Sequence, residues 1–318
     1  MTSIHRPFLT DALITVYRAL GLCDRAGVGE TAGCCDRAHW HYRTSDIPNA
    51  RAQETGLLLA LAYDTQAPNN PFAANTQMET WIRDIWRFWL ARQNRDGSVS
   101  EVYPFERSFC ATAFSAAAFV ETVALMGGAP AWAKELDQAR KTFHWLAQNA
   151  SRDAANQTAA SVLALGAYAQ LTGDAALQDK ARDQRAAFIR DQLADGTFVE
   201  YDGLDVGYQT ITLSTLARTL AYDDDKELRA ALNKGEQAIR ERFSEQGRHD
   251  SHANSRSTQF TYPYGLACTD SPALAGLLRG LDENVVLRPT WMDDRYAVPL
   301  AIDYFWTYRR LSHANDAV

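Results

Sequence analysis

Apolar residues recur along the chain with the three-to-four spacing of amphipathic helices, in Ala- and Leu-rich stretches separated by short breaks. The spacing predicts helices over 7–22, 48–65, 75–93, 107–126, 130–149, 154–171, 174–193, 206–221, 224–243, 257–280 and 296–311. Strand signals are confined to 198–201 and 285–287. The predicted helices alternate in character. Those at 80–93 (TWIRDIWRFWLARQ) and 174–192 are amphipathic and charged, whereas 111–125 (ATAFSAAAFVETVAL) and 159–171 (AASVLALGAYAQL) are small and apolar on most faces. A helix apolar all round must be buried. Alternating buried and half-exposed helices are what an inner ring inside an outer ring produces. The expected fold class is therefore all-α, an α/α toroid of about five to six helical hairpins, complete or incomplete, with residues 1–318 as a single domain.

An internal echo supports this order. Residues 93–103 read QNRDGSVSEVY and 192–201 read QLADGTFVEY. In each, an outer helix stops at an Asp-Gly turn, Asp96-Gly97 or Asp195-Gly196, and a glutamate follows, Glu101 or Glu200. A polar loop and then an apolar helix come next. A weaker third copy begins at 245–247. The echo places the long polar loops on one side of the wheel.

Composition narrows the function. Of 318 residues, 46% are hydrophobic and 22% charged, enough apolar material for a large core. The formal net charge of −7 argues against nucleic acid as a partner. No basic leader precedes an apolar core at the N-terminus, and no run approaches the roughly eighteen apolar residues of a membrane span. The five cysteines are odd in number and irregular in spacing, which reads as reduced thiols rather than a zinc ribbon. A cytoplasmic location is expected.

The unusual residues collect in the loops that lead into the apolar helices: 34–54, 101–112, 154–158, 200–210 and 247–265. In a toroid the inner helices share a direction, so these loops meet at one mouth. Four of the seven histidines lie there, His39, His41, His249 and His252, with Arg37, Arg43, Arg51, Arg107, Arg248 and Arg256. Exposed loops are normally filled by Gly, Ser, Asp and Lys, so dense Trp, Tyr, His and Arg point to binding. Helix N-termini add a preference for anions.

The segments 39–54 (HWHYRTSDIPNARAQE), 103–114 (YPFERSFCATAF), 198–213 (FVEYDGLDVGYQTITL) and 255–265 (SRSTQFTYPYG) resemble bacterial α/α-toroid proteins of polysaccharide gene clusters. Those in turn are similar to the helical domains of heparinase-type polysaccharide lyases and uronyl C5-epimerases. The resemblance spans roughly residues 35–265. It implies a toroid acting on an acidic, uronate-containing polysaccharide. Heparinase-type lyases carry an additional β-sandwich domain for which this chain has no room, so residue roles are assigned from chemistry.

β-Elimination on a uronate needs a group that neutralises the carboxylate, a base for the C5 proton and an acid for the leaving oxygen. The catalytic candidates are His41, His252, Tyr208, Tyr262 and Arg256. Arg256 and Asn254, with Arg51, would grip the carboxylate; His252 or His41 would be the base; Tyr262, Tyr208 or Tyr42 the acid. The remaining substrate-binding candidates are His39, Trp40, Tyr103, Glu106, Arg107, Asn156, Gln157, Glu200, Asp205, His249 and Gln259. The preferred reading is a lyase with no metal and no cofactor. Hydrolysis is the alternative, with Asp46, Glu54, Glu106, Glu200, Asp202 and Asp205 as possible paired carboxylates. C5 epimerisation and non-catalytic glycan binding also fit. His39-x-His41 and His249-x-x-His252 have loose metal-ligand spacing. Asp223-Asp224-Asp225-Lys226-Glu227 looks superficially like a diphosphate-binding acidic motif, but it reads better as a solvated helix start.

Overall fold

The computed structural model describes residues 6–316 except Arg152 and Asp202. Among the described residues the chain is all-helical and has no strand. Its helices are α1 (Arg6–Leu22), α2 (Arg37–Trp40), α3 (Thr55–Asp64), α4 (Thr76–Ala91), α5 (Phe109–Leu125), α6 (Gly128–Ala131), α7 (Ala133–Gln148), α8 (Ala155–Thr172), α9 (Ala175–Arg190), α10 (Val206–Thr219), α11 (Lys226–Arg240), α12 (Pro263–Cys268), α13 (Pro272–Asp282) and α14 (Asp294–Asp316).

Burial follows the alternation in the sequence. In α5 every residue from Ala111 to Val123 is buried, because Ala, Ser and Thr let neighbouring helices approach on every side. In α4 the buried residues are Met78, Ile82, Ile85, Trp86, Phe88 and Trp89, a single face. The apolar helices contact one another in a cyclic order. α3 packs on α5, α5 on α8, α8 on α10, α10 on α12, α12 on α14, and α14 returns to α3. The amphipathic helices lie against them: α4 on α3, α7 and α9 on α8, α11 on α10, α13 on α12 and α1 on α14.

The echo is repeated atom for atom. Asp96 accepts hydrogen bonds from the Ser98 N–H at 3.1 Å and hydroxyl at 2.7 Å. Asp195 does the same for Thr197, at 2.9 and 2.8 Å. Lys141 reaches the Asn94 carbonyl and Lys234 the Leu193 carbonyl, each at 3.0 Å. Gly97 and Gly196 both have φ of 95°. A Cβ at Gly97 would stand 2.4 Å from the Lys141 carbonyl carbon, so only glycine fits.

Two expectations change. The predicted helix over 257–280 is broken. Residues 257–262 are non-helical, and α12 ends at Cys268. Pro272 lacks an N–H and cannot sit in a helix interior; it stands in the first turn of α13, capped by Ser271. The strand candidates are not strands. Glu200 makes isolated bridges with Ala154 and Gly203, and 285–287 is loop. The cysteines are free, with Cys23 and Cys35 sulfurs 3.0 Å apart in the core. Among the described residues no helix is long and apolar enough to cross a membrane.

Candidate functional site

The loops that enter the apolar helices are bonded to each other. Ala50 N–H donates to Ser100 O at 3.1 Å, Ala155 N–H to Val199 O at 3.1 Å and Ser255 N–H to Leu204 O at 3.0 Å. Glu101 pairs with Arg295, joining the entry of α5 to the start of α14. Segments far apart in sequence thus share one rim.

On one side of this rim stands Arg51. Asn49 caps its 3-10 turn, accepting from the Arg51 N–H at 2.8 Å. The guanidinium pairs with buried Glu54, lies 3.4 Å from Cys110 Sγ and covers the Phe114 ring at 4.1 Å. Burial works against its charge, but Glu54, Cys110 and Glu101 outweigh burial and hold it firmly protonated. Burial pushes the Cys110 thiol up, with Arg51 opposing.

On the other side are two tyrosines and an arginine. Tyr208 lies in the first turn of α10, and Tyr201 precedes that helix with φ of 59°. Their rings meet edge-on at 5.7 Å. The Arg256 guanidinium lies over the Tyr201 ring at 4.4 Å. Arg256 is exposed, and among the described residues no carboxylate pairs with it. Gln157 faces the Tyr201 hydroxyl. Burial raises both phenol pKa values, and the Arg256 charge opposes that rise in each. Tyr201 is also within electrostatic reach of Cys110, and Tyr208 of Tyr296, so the two sides are contiguous.

A dense set of bonds fixes these groups. Asp205 caps α10 through the Tyr208 N–H at 3.0 Å, and accepts from the Arg256 N–H at 3.0 Å and from the Thr258 hydroxyl. Asn254 accepts from the Val206 N–H at 3.0 Å and donates to Thr258 O at 3.1 Å. Glu200 is fully buried and accepts from Asn156 Nδ2 at 2.6 Å and Thr212 Oγ1 at 2.9 Å. Burial pushes its carboxyl up to about 7. Asn156, Glu200, Asp205 and Asn254 are therefore the frame of the site, bonded to one another or to neighbouring backbone and hydroxyl groups. Glu106 belongs to a frame too: one carboxylate oxygen accepts from the N–H groups of Glu101, Val102 and Tyr103 at 2.8, 2.7 and 3.2 Å. Arg107 is 71% exposed and pairs with Asp96 at 3.0 Å. Tyr103 is exposed on the same loop.

Tyr262 is buried. Its ring meets Phe260 at 5.7 Å, which in turn meets Tyr208 at 5.7 Å. It lines a cavity of about 40 Å³ beneath the rim, with Arg51, Glu54, Phe114, Arg218 and Asp303. A space that small holds water rather than a sugar.

Among the described residues none of the four loop histidines has a hydrogen bond, ion pair or ring contact with Arg51, Tyr201, Tyr208 or Arg256. His39 Nδ1 contacts Ser45 O at 3.0 Å, and Trp40 Nε1 donates to Leu22 O at 2.7 Å. His41 is exposed, and its ring contacts are with adjacent Trp40 and Tyr42. Tyr42 is 59% exposed under Arg37. These four form a hook on α2, beside a separate groove of about 280 Å³ that His39 lines with Phe105. His252 is exposed on a 3-10 turn. His249 is satisfied at both ring nitrogens, by Phe260 O at 3.2 Å and Asn254 Nδ2 at 3.1 Å, and burial lowers its pKa. Gln259 faces a further pocket next to His249. Among the described residues no group of three or more His, Cys, Asp or Glu is placed to hold a metal ion. The acidic run at 223–225 is a helix start: Asp225 caps α11, Asp224 pairs with Arg229 and Asp223 with Arg185. Asp202 lies outside the described residues.

Sequence reasoning passed over Tyr201, Cys110, Arg295 and Tyr296. Tyr201 directly follows the repeated glutamate of the echo. Arg295 and Tyr296 begin α14, and a closed cycle of helices requires an entry loop there. No protein-family model and no curated protein matches this chain.

Proposed function

We propose that this chain is a polysaccharide lyase with an α/α-toroid fold, acting in the cytoplasm on a uronate-containing polysaccharide by metal-independent β-elimination. The observation that carries the reading is Arg256: an exposed guanidinium that has no carboxylate partner among the described residues, held over Tyr201 and beside Tyr208. An unpaired arginine on a preorganised rim is a ready receptor for a sugar carboxylate. The cyclic order of helix contacts supports the toroid, and free thiols suit a reducing compartment. The resemblance to heparinase-type lyases and uronyl epimerases points to the same substrate class.

In this reading Arg256 neutralises the uronate carboxylate, so that charge developing at C5 is stabilised. Tyr201 lies directly under the guanidinium; burial raises its pKa, Arg256 and Gln157 oppose that rise, and once ionised it takes the C5 proton. The electron pair forms the C4–C5 double bond as the C4–O bond breaks. Tyr208, kept protonated by burial, gives its proton to the leaving oxygen. The histidines have no part in the step.

The test is the ultraviolet absorbance of unsaturated uronates during incubation with polygalacturonate, alginate and hyaluronan. Wild type should generate the signal, and Arg256→Gln and Tyr208→Phe should each lower kcat/KM about a hundredfold or more. Full activity in both variants would sink the assignment. Hydrolysis is the second reading, favoured by two carboxylates, Glu54 and Glu101, both within electrostatic reach of Arg51 and Cys110. Product masses heavier by one water than the elimination products would select it.

A further inference from the structure

One extended segment divides the rim from a second pocket. Residues 258–262 carry no helix, and their side chains alternate. Phe260 and Tyr262 face inward, one against Tyr208 and the other onto the small cavity. Gln259, exposed, and Thr261, buried, line a pocket of about 430 Å³. The same loop therefore presents Arg256 to the mouth and Gln259 to this pocket.

The far wall is Trp291, 53% exposed. It sits on a short 3-10 turn begun by buried Pro289. Arg288 lies 5.7 Å from the Trp291 ring and is itself anchored to Asp11 at 2.9 Å. One face of the indole is thus braced and the other is open. Around it stand Arg248, Ser251, Gln259 and Asn284, and among the described residues none of these four side chains has a hydrogen-bond or ion-pair partner. A flat aromatic face ringed by unspent donors and acceptors, in a volume of this size, matches a pyranose ring: its C–H face stacks and its hydroxyls take the polar groups.

We infer that this pocket is a distal subsite for a further uronate unit of the same acidic polysaccharide, with Trp291 as the stacking platform and Arg248 as the carboxylate contact. The inference rests on the proposed function for its substrate class. It also explains why a loop that ties down His249 and Asn254 for structure leaves Arg248 without a partner among the described residues.

Binding is measured directly, by affinity electrophoresis in gels containing polygalacturonate, alginate or hyaluronan, alongside steady-state cleavage of polymer and of a trisaccharide. Trp291→Ala and Arg248→Gln lie in exposed loops and should fold with an unchanged circular-dichroism spectrum. Each should weaken polymer binding and raise the polymer KM about five- to tenfold, at constant kcat, with trisaccharide turnover unchanged. Equal polymer binding by wild type and both variants overturns the subsite and leaves the lyase reading standing. Polymer binding that depends on Trp291 without any cleavage keeps the subsite and overturns the lyase reading. No binding to any of the three polymers overturns both.

Discussion

Arginines meet acids and tyrosines in two regions of this molecule, with opposite outcomes. At the centre of the helix cycle, Arg218 pairs with Glu121 at 2.9 Å and Asp303 bonds the Ser214 hydroxyl and the Tyr264 N–H. Glu121 is 1% exposed and Asp303 2%. At the rim, Arg256 lies over an aromatic face, is open to solvent and has no carboxylate partner among the described residues. The central charges are internally answered and hold helices together; α5, α10 and α14 are linked by them. The rim charge is unanswered among the described residues. The difference separates groups that serve the fold from groups that can serve a ligand, although both are arginines on the same scaffold.

The largest effect should come from the centre. Arg218→Met leaves Glu121 buried without its cation, and removing one partner of a buried pair costs about 3 kcal/mol or more. Denaturant unfolding followed by circular dichroism should show that loss. Arg256→Gln, by contrast, should change stability by less than about 0.5 kcal/mol, while carrying the activity loss predicted above. Equal stability losses in the two variants would erase the distinction between the regions.

Protonation sharpens the comparison. Burial pushes Glu121 up from 4.5 to about 7 despite Arg218, and Asp303 up from 3.8 to about 6 despite its hydrogen bonds. Arg218, Asp303 and Tyr222 are the charged or titratable groups around Glu121. The folded chain therefore holds the Glu121 proton more tightly than the unfolded chain. Its penalty on stability is absent below about 4.5 and complete above about 7, so this contribution falls as pH rises through that window. Glu121→Gln should remove that slope. The melting temperature of wild type relative to Glu121→Gln should decline from pH 4.5 to pH 7.5; a constant difference would refute it.

The sequence revealed the helices more fully than the site, for physical reasons. Burial on all faces leaves a compositional mark, as in 111–125, and the Asp-Gly turns repeat visibly. The predicted helix over 257–280 fails because its apolar content outweighs two prolines, Pro263 and Pro272, each of which starts a separate helix. The site was only partly legible because residue type does not disclose pairing. Glu106 has the chemistry to position a sugar, yet one of its carboxylate oxygens is occupied by three backbone N–H groups. Arg107 is as basic as Arg256, yet Asp96 holds it. Tyr208 and Arg256 were visible from the loops; Tyr201 and Tyr296 became so only when the cycle of helices brought their loops together.

The smallest expected effect is the sharpest guide to which groups do chemistry. His41 and His252 have the side chains best suited to proton transfer near neutral pH. General-base catalysis requires more than suitable pKa: the nitrogen must come within hydrogen-bond reach of the substrate proton. Among the described residues the His41 ring meets only Trp40 and Tyr42, and His252 is exposed on the Ser251–Ala253 turn, whereas Tyr201 meets both Tyr208 and Arg256. His41→Ala and His252→Ala should each change kcat/KM by less than about twofold and stability by less than about 0.5 kcal/mol. The pH–rate profile should also keep its shape, because no histidine supplies a limb. A loss of a hundredfold in His252→Ala with its fold intact would mean that the turn closes over bound substrate, and would move the base from Tyr201 to the loop.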